Sequence, residues 1–234
     1  MRSGRTTTLY SALMTLNTTE KKIVTLEDPV EYELPFIRQS QINPRAGLNY
    51  AAGLQSILRQ DPDIILVGEL RDRETVETAF RAALTGLLVF STLHTNDAAA
   101  ALPRLLDMGV EPYLAASAVT GVAAQRLVRV ICRTCKVDAG ISSDLARSLG
   151  APENGGFFKG AGCRNCEDTG YRGRTIVSEV ILMSPRIRKA VLDRADAATI
   201  RKLSQEEGME TMLGNGVQKA LAGITTLEEV ARVV

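Results

Sequence analysis

The sequence predicts an α/β protein, and two observations carry that reading. Short apolar runs rich in β-branched residues recur through the first 130 positions, at Ile23–Leu26, Ile64–Val67 and Leu87–Leu93, and read as buried parallel strands. Between them, Thr6–Leu16, Ala51–Arg59, Glu74–Leu84 and Ala98–Met108 place apolar residues at helical spacing, with Asp72 and Asp97 where N-caps belong. Alternating strand and helix is the order of a parallel sheet covered by helices. A further helix is expected over Ala115–Val130.

After Val130 the texture changes to Gly, Cys and charged residues as far as Arg174, which marks an irregular segment held by something other than an apolar core. A strand is expected over Thr175–Leu182, then helices near Pro185–Asp193, Ala197–Gln205, Met209–Ala222 and Leu227–Val233, punctuated by Gly208 and Gly223. The expected organisation is therefore 1–130, 131–174 and 175–234.

The 234 residues carry 28 basic and 27 acidic side chains, so there is no overall field to draw in nucleic acid or an anionic membrane, and any anion site is local. No nucleic-acid partner is expected. No apolar run approaches the roughly 18 residues that cross a bilayer, and the opening MRSGRTTTLY lacks a secretory apolar stretch. A cytoplasmic protein is expected.

Ser3, Gly4, Arg5, Thr6 and Thr7, followed by an apolar helix, resemble the end of a phosphate-binding GxxxxGK[ST] loop, in which backbone amides cradle phosphates and a hydroxyl holds magnesium. Counting back from Gly4, the loop's first glycine falls before residue 1, and Arg5 occupies the lysine position. A planar guanidinium is aimed differently from an ammonium. The same residues also fit a polar tail before a helix.

Glu27, Asp28 and Glu31 crowd the C-terminal end of the first strand, with Pro29 stopping its continuation, at the edge where open α/β sheets bind ligands. They suit magnesium or the orientation of water, or else a solvated turn. Asp61–Glu69 is a buried strand ending in an acid, the Walker B arrangement, with Gly68 where many such strands carry aspartate. A glutamate there polarises water for attack on a terminal phosphate. Arg71 and Asp72 follow as a surface ion-pair residue and a helix cap. His94, the single histidine, closes the third strand, either as a structural residue or as a phosphate sensor. Gln125, Arg126 and Arg129 fall on the expected late helix, as phosphate or subunit contacts or as a solvated basic face.

Cys132-x-x-Cys135 and Cys163-x-x-Cys166 are separated by 27 residues. Paired CxxC turns in a cytosolic chain point to tetrahedral Zn²⁺, and four protein ligands leave no open position, so the ion braces and does not catalyse. A thiol redox pair is the rival, and it needs a low-pKa cysteine at a helix N-terminus that loop-borne pairs do not offer.

SGRTTTLY, TLEDPVEY, LRQDPDIILVGELRD, LTGLLVFSTLHTND, AQRLVR, the two CxxC pairs and GITTLEEVARV follow one another along almost the whole chain. Their joint order resembles the type II secretion and type IV pilus assembly ATPases. The resemblance implies a RecA-like P-loop NTPase core, with the phosphate loop at Gly4-Arg5-Thr6, an acidic box at Glu27-Asp28-Glu31, Walker B at Gly68-Glu69 and a histidine box at His94. It also implies ATP and Mg²⁺ as cofactors, a hexamer, and force delivered to an inner-membrane platform protein from the cytoplasmic side. The tetracysteine segment favours the assembly and secretion branch over the retraction branch. Leu87 stands where the family usually has a second histidine. The family's preceding domains and the strand feeding the loop are not in the sequence, so a fragment with weak or no independent ATPase activity is expected. The rival reading is a non-catalytic, zinc-braced module that binds the platform protein.

Overall fold

A computed structural model describes residues 3–139, 143–152 and 155–234. The chain forms two compact units, one of residues 5–122 and 182–204, the other of residues 1–4, 123–181 and 205–234. Compactness follows contacts, and it groups the segment 182–204 with residues 5–122.

In the 5–122 unit, β1 (Ile23–Glu27), β2 (Arg38–Gln41), β3 (Ile64–Val67) and β4 (Leu88–Ser91) form a sheet in the order β2-β1-β3-β4, parallel throughout. All residues of β1 and β3 are buried, as expected when both faces are covered. Side chains alternate between those faces. Ile23, Ile64 and Leu66 join Tyr10 and Leu13 of helix α1 (Arg5–Leu16) on one side. Val24, Leu26, Ile65 and Val67 meet α2 (Tyr50–Leu58) and Ala79 of α3 (Arg73–Leu84) on the other. The expected Asp72 cap is present: its Oδ1 accepts from Thr75 N at 2.8 Å. Asp97 also accepts from a helix-entry amide, Ala100 N at 2.8 Å, ahead of α4 (Ala101–Asp107).

The helix expected over Ala115–Val130 is a correction. It is a short α5 (Pro112–Ala118) followed by a long strand β5 (Gly121–Ile131). The break comes where small helix formers give way to Val119, Thr120 and Val122, whose branched side chains are confined in a helix and fit a strand. Gln125 and Arg126 therefore stand on a strand, pointing to opposite faces.

In the other unit β5 pairs with β8 (Tyr171–Leu182). The segment expected to be irregular contains an antiparallel pair, β6 (Lys136–Ala139) with β7 (Phe157–Gly160), and a short α6 (Ser143–Ser148). Beyond β8 come α7 (Pro185–Leu192), α8 (Ala197–Glu206), α9 (Met212–Leu221) and α10 (Leu227–Val233), as expected within a few residues.

Candidate functional site

Parallel register brings the acidic and histidine segments to one edge. Leu26 is paired with Val67, and Val67 with Ser91, so the chain leaves β1, β3 and β4 side by side. Gly68 N donates to Leu26 O at 2.8 Å, Leu70 N to Thr92 O at 3.0 Å, and Thr92 Oγ1 to Gly68 O at 2.7 Å. These bonds hold the ends together past the ladder. Glu69, 9% exposed, then meets His94, whose Nε2 lies 2.8 Å from Glu69 Oε2, while Arg71 pairs with Oε1. Both oxygens of the carboxylate are thus engaged, one of them by the solvent-facing His94.

The three acids of the first box are not equivalent. Glu27 is buried, and its carboxylate accepts from Tyr10 Oη, from Thr25 Oγ1 at 2.5 Å and from Gln39 Nε2 at 3.2 Å. Burial and the bond to Glu27 push the Tyr10 hydroxyl well above its ordinary pKa. Asp28 and Glu31 are exposed, and the chain passes between them through a cis Asp28–Pro29 bond. Glu31 N contacts Tyr10 Oη at 3.4 Å, so one tyrosine ties the backbone of the box to its buried carboxylate. Sequence reasoning missed Tyr10, Thr25 and Gln39. Gln39 lies on β2, a polar RQSQ strand without the apolar alternation that marks strands.

Arg5 opens α1, and its Nη1 donates to Leu93 O at 3.2 Å, which aims the guanidinium at the residue before His94. Thr6 is half-buried and Thr7 exposed. In the other unit, Gln125 Nε2 donates to Ser3 O at 3.1 Å, and Gly4 adopts φ +81°, open to glycine, with Leu127 and Gln125 close by. Ser3 Oγ is buried with no hydrogen-bond partner among the described residues. A buried hydroxyl left without a partner is costly, and it fits a segment whose natural neighbour is a polar ligand.

The four cysteines converge. Cys132 follows β5 and Cys135 precedes β6, while Cys163 caps a single 3₁₀ turn after β7 and Cys166 is its last residue. All four sulfurs lie within 4.8 Å of one another. Cys132–Cys163, Cys135–Cys166 and Cys163–Cys166 are separated by 3.9, 3.8 and 3.7 Å. Sulfurs at about 2.3 Å from a tetrahedral zinc stand about 3.8 Å apart, so the donor set fits that ion. The frame is made of backbone: Cys132 N donates to Gly170 O at 2.9 Å, and Ala161 N to Cys135 O at 2.8 Å. A β-carbon on Gly160 would lie 2.0 Å from Gly170 O, so only glycine permits this approach.

A parallel sheet with an acid and a histidine at its C-terminal edge is an open α/β fold with its polar groups where such sheets bind ligands. The chain belongs to the Type II/IV secretion system protein family, whose model matches residues 2–232. It is 48% identical over 232 residues to the type IV pilus assembly ATPase PilB of Thermus thermophilus, covering 97% of this chain and 26% of that one. It is 46% identical over 231 residues to type II secretion system protein E of Dickeya dadantii, covering 99% of this chain and 46% of that one. The chain thus spans between about a quarter and a half of these curated relatives. Among solved structures it is similar to the pilus retraction motor PilT with bound ADP, with a TM-score of 0.71 and 27% identity over 99% of this chain and 58% of that one. The core is RecA-like, and the family is one of ATPases. No helix among the described residues is long and apolar enough to cross a membrane.

Proposed function

We propose that this chain is the nucleotide-hydrolysing part of a motor subunit that powers type II secretion or type IV pilus assembly. The observation that carries the reading is the Glu69–His94 pair at the aligned ends of β3 and β4. In it Glu69 polarises the attacking water, and His94 holds that carboxylate and faces the terminal phosphate. Arg71 fixes the other oxygen of Glu69. Asp28 and Glu31 are the exposed acids suited to magnesium through water, and Glu27, buried beneath them, anchors the box. When bound, magnesium–ATP supplies the phosphoryl group and neutralises the charge that develops on it. Ser3, Gly4, Arg5, Thr6 and Thr7 would take the phosphates, with Gln125 and Arg126 as additional contacts. Cys132, Cys135, Cys163 and Cys166 would hold Zn²⁺ as a structural ion.

The names of the relatives, a type IV pilus assembly ATPase and a type II secretion system protein, support a subunit of such a machine; a cytoplasmic hexamer working on an inner-membrane platform protein is part of the same proposal. The test is calorimetric titration of the zinc-loaded chain with Mg²⁺–ATP, alongside turnover of wild type and Glu69→Gln. Saturable binding to both, with the weak turnover of the wild type abolished by the substitution, is the expected result. A wild type that binds no nucleotide sinks the reading.

A further inference from the structure

Asp97 follows His94 by three residues and is held from two sides. Its Oδ1 accepts from Ala100 N at 2.8 Å, a local bond at the entry to α4. Its Oδ2 accepts from Arg201 Nη2 at 2.5 Å, and that residue lies on α8, 104 positions away. Thr95 Oγ1 donates to Asp97 O at 3.0 Å, so the turn from His94 to Asp97 is closed on itself. Upstream, Thr92 Oγ1 is tied to Gly68 O and Leu93 O to Arg5. His94 therefore stands between an end anchored to the sheet and an end anchored to α8.

The helix is a firm anchor. Ile200 and Ser204 are buried on either side of Arg201, Ser204 Oγ donates to Ile200 O, and Asp196 Oδ1 accepts from Thr199 N at 2.8 Å in the first turn. The preceding α7 is clasped to the same unit by Arg188, which donates to Ala116 O. Between the start of α8 and the histidine turn, however, lies an open pocket of about 340 Å³, lined by His94, Thr95, Arg104, Asp107 and Ala197. Close packing normally locates one element against another; beside this pocket a charged hydrogen bond does so.

The side chains of Arg201 and Asp97 are 43% and 26% exposed, and an ion pair that open to water adds little to stability. Position is another matter, because a displacement of about 1 Å at a reacting site can cost about 10²-fold in rate. The pair thus has a small part in holding the fold and a large one in placing His94.

We propose that Arg201 is a positioning residue of the hydrolytic site: through Asp97 it holds the turn that carries His94 against Glu69. The inference rests on the hydrolase reading above and extends it to α8, which lies outside the acidic and histidine boxes.

The test uses the full chain as wild type, Arg201→Met and Arg201→Lys. His94 is the single histidine, so its ring protons are identifiable by NMR, and adding Glu69→Gln in each background reads the coupling between the two groups. Glu69→Gln should shift those signals in wild type, by less than about half as much in Arg201→Met, and by an intermediate amount in Arg201→Lys, which keeps the charge. Arg201→Met should melt within about 3 °C of wild type, while its turnover of Mg²⁺–ATP drops about tenfold with KM within about twofold. A full Glu69→Gln shift in Arg201→Met, or turnover equal to that of wild type, overturns the inference and leaves the hydrolase reading in place. Melting several degrees lower also overturns it, since the pair would then be a brace of the fold. Absence of nucleotide binding by wild type removes the hydrolase reading, and this inference falls with it.

Discussion

His94 Nε2 stands 2.8 Å from Glu69 Oε2 although 25 positions separate the two residues in the sequence. The contact exists because β3 and β4 are parallel neighbours in register, so the residues that follow them emerge side by side. Glu69 is nearly buried and His94 is exposed, so the pair has one protected partner and one open to an incoming ligand.

If Glu69 orients and deprotonates the attacking water, Glu69→Gln keeps the shape and loses the base. Turnover should fall by about 10²- to 10⁴-fold, the range of a general base, with the affinity for Mg²⁺–ATP little changed. Steady-state kinetics with a calorimetric binding control checks this, and a variant retaining most of its turnover would remove Glu69 from that role.

Gly68→Ala places a methyl 2.9 Å from Tyr50 Oη and 3.2 Å from Leu26 O. Both neighbours sit in a packed core, and overpacking there costs about 1–3 kcal/mol. Denaturant unfolding should show a lower midpoint, and combining the change with Tyr50→Phe should return part of the loss, because the closest obstacle is then absent.

Cys163→Ser replaces one sulfur of the cluster with a poor zinc ligand. Elemental analysis should show about one zinc per chain in wild type and well under half of that in the variant, with a lower melting temperature. A strong chelator should lower the melting temperature of wild type in the same way. Wild type free of zinc and indifferent to the chelator would contradict the assignment.

Glu229 is 1% exposed and accepts from Arg129 N at 3.0 Å, Arg129 Nη2 at 2.5 Å and Arg232 Nε at 2.8 Å. Burial alone would raise its pKa, but the two guanidiniums and the amide outweigh it and bring the value from 4.5 down to about 2. A depressed folded pKa contributes stability that is present above the unfolded value and lost as pH falls. The melting temperature should therefore drop between pH 4.5 and about pH 2, and Glu229→Gln should start lower at pH 7 and flatten that slope. An unchanged slope in the variant would assign the acid sensitivity to other groups.

The buried strands and their acids were legible because each signal is local. Ile64–Val67 is a continuous apolar run ending at Glu69, and Cys132, Cys135, Cys163 and Cys166 declare themselves by spacing. Residues 115–130 were misread because alanines at 115, 116, 118, 123 and 124 carry helical propensity, whereas pairing with β8 decided in favour of a strand. β2 was missed because its residues are polar and it lies at the edge of the sheet, where burial imposes no pattern.

The sequence by itself determined the α/β class, the family and the residue types at the strand ends, because hydrophobic periodicity and motif order are properties of neighbouring positions. Tertiary structure alone decided which carboxylate is buried and which is open, that Arg5 turns to Leu93 O, and that the hydroxyl of Tyr50 comes to rest over Gly68. Those outcomes depend on sheet register and helix packing, which bring together groups far apart along the chain and set how much water each retains.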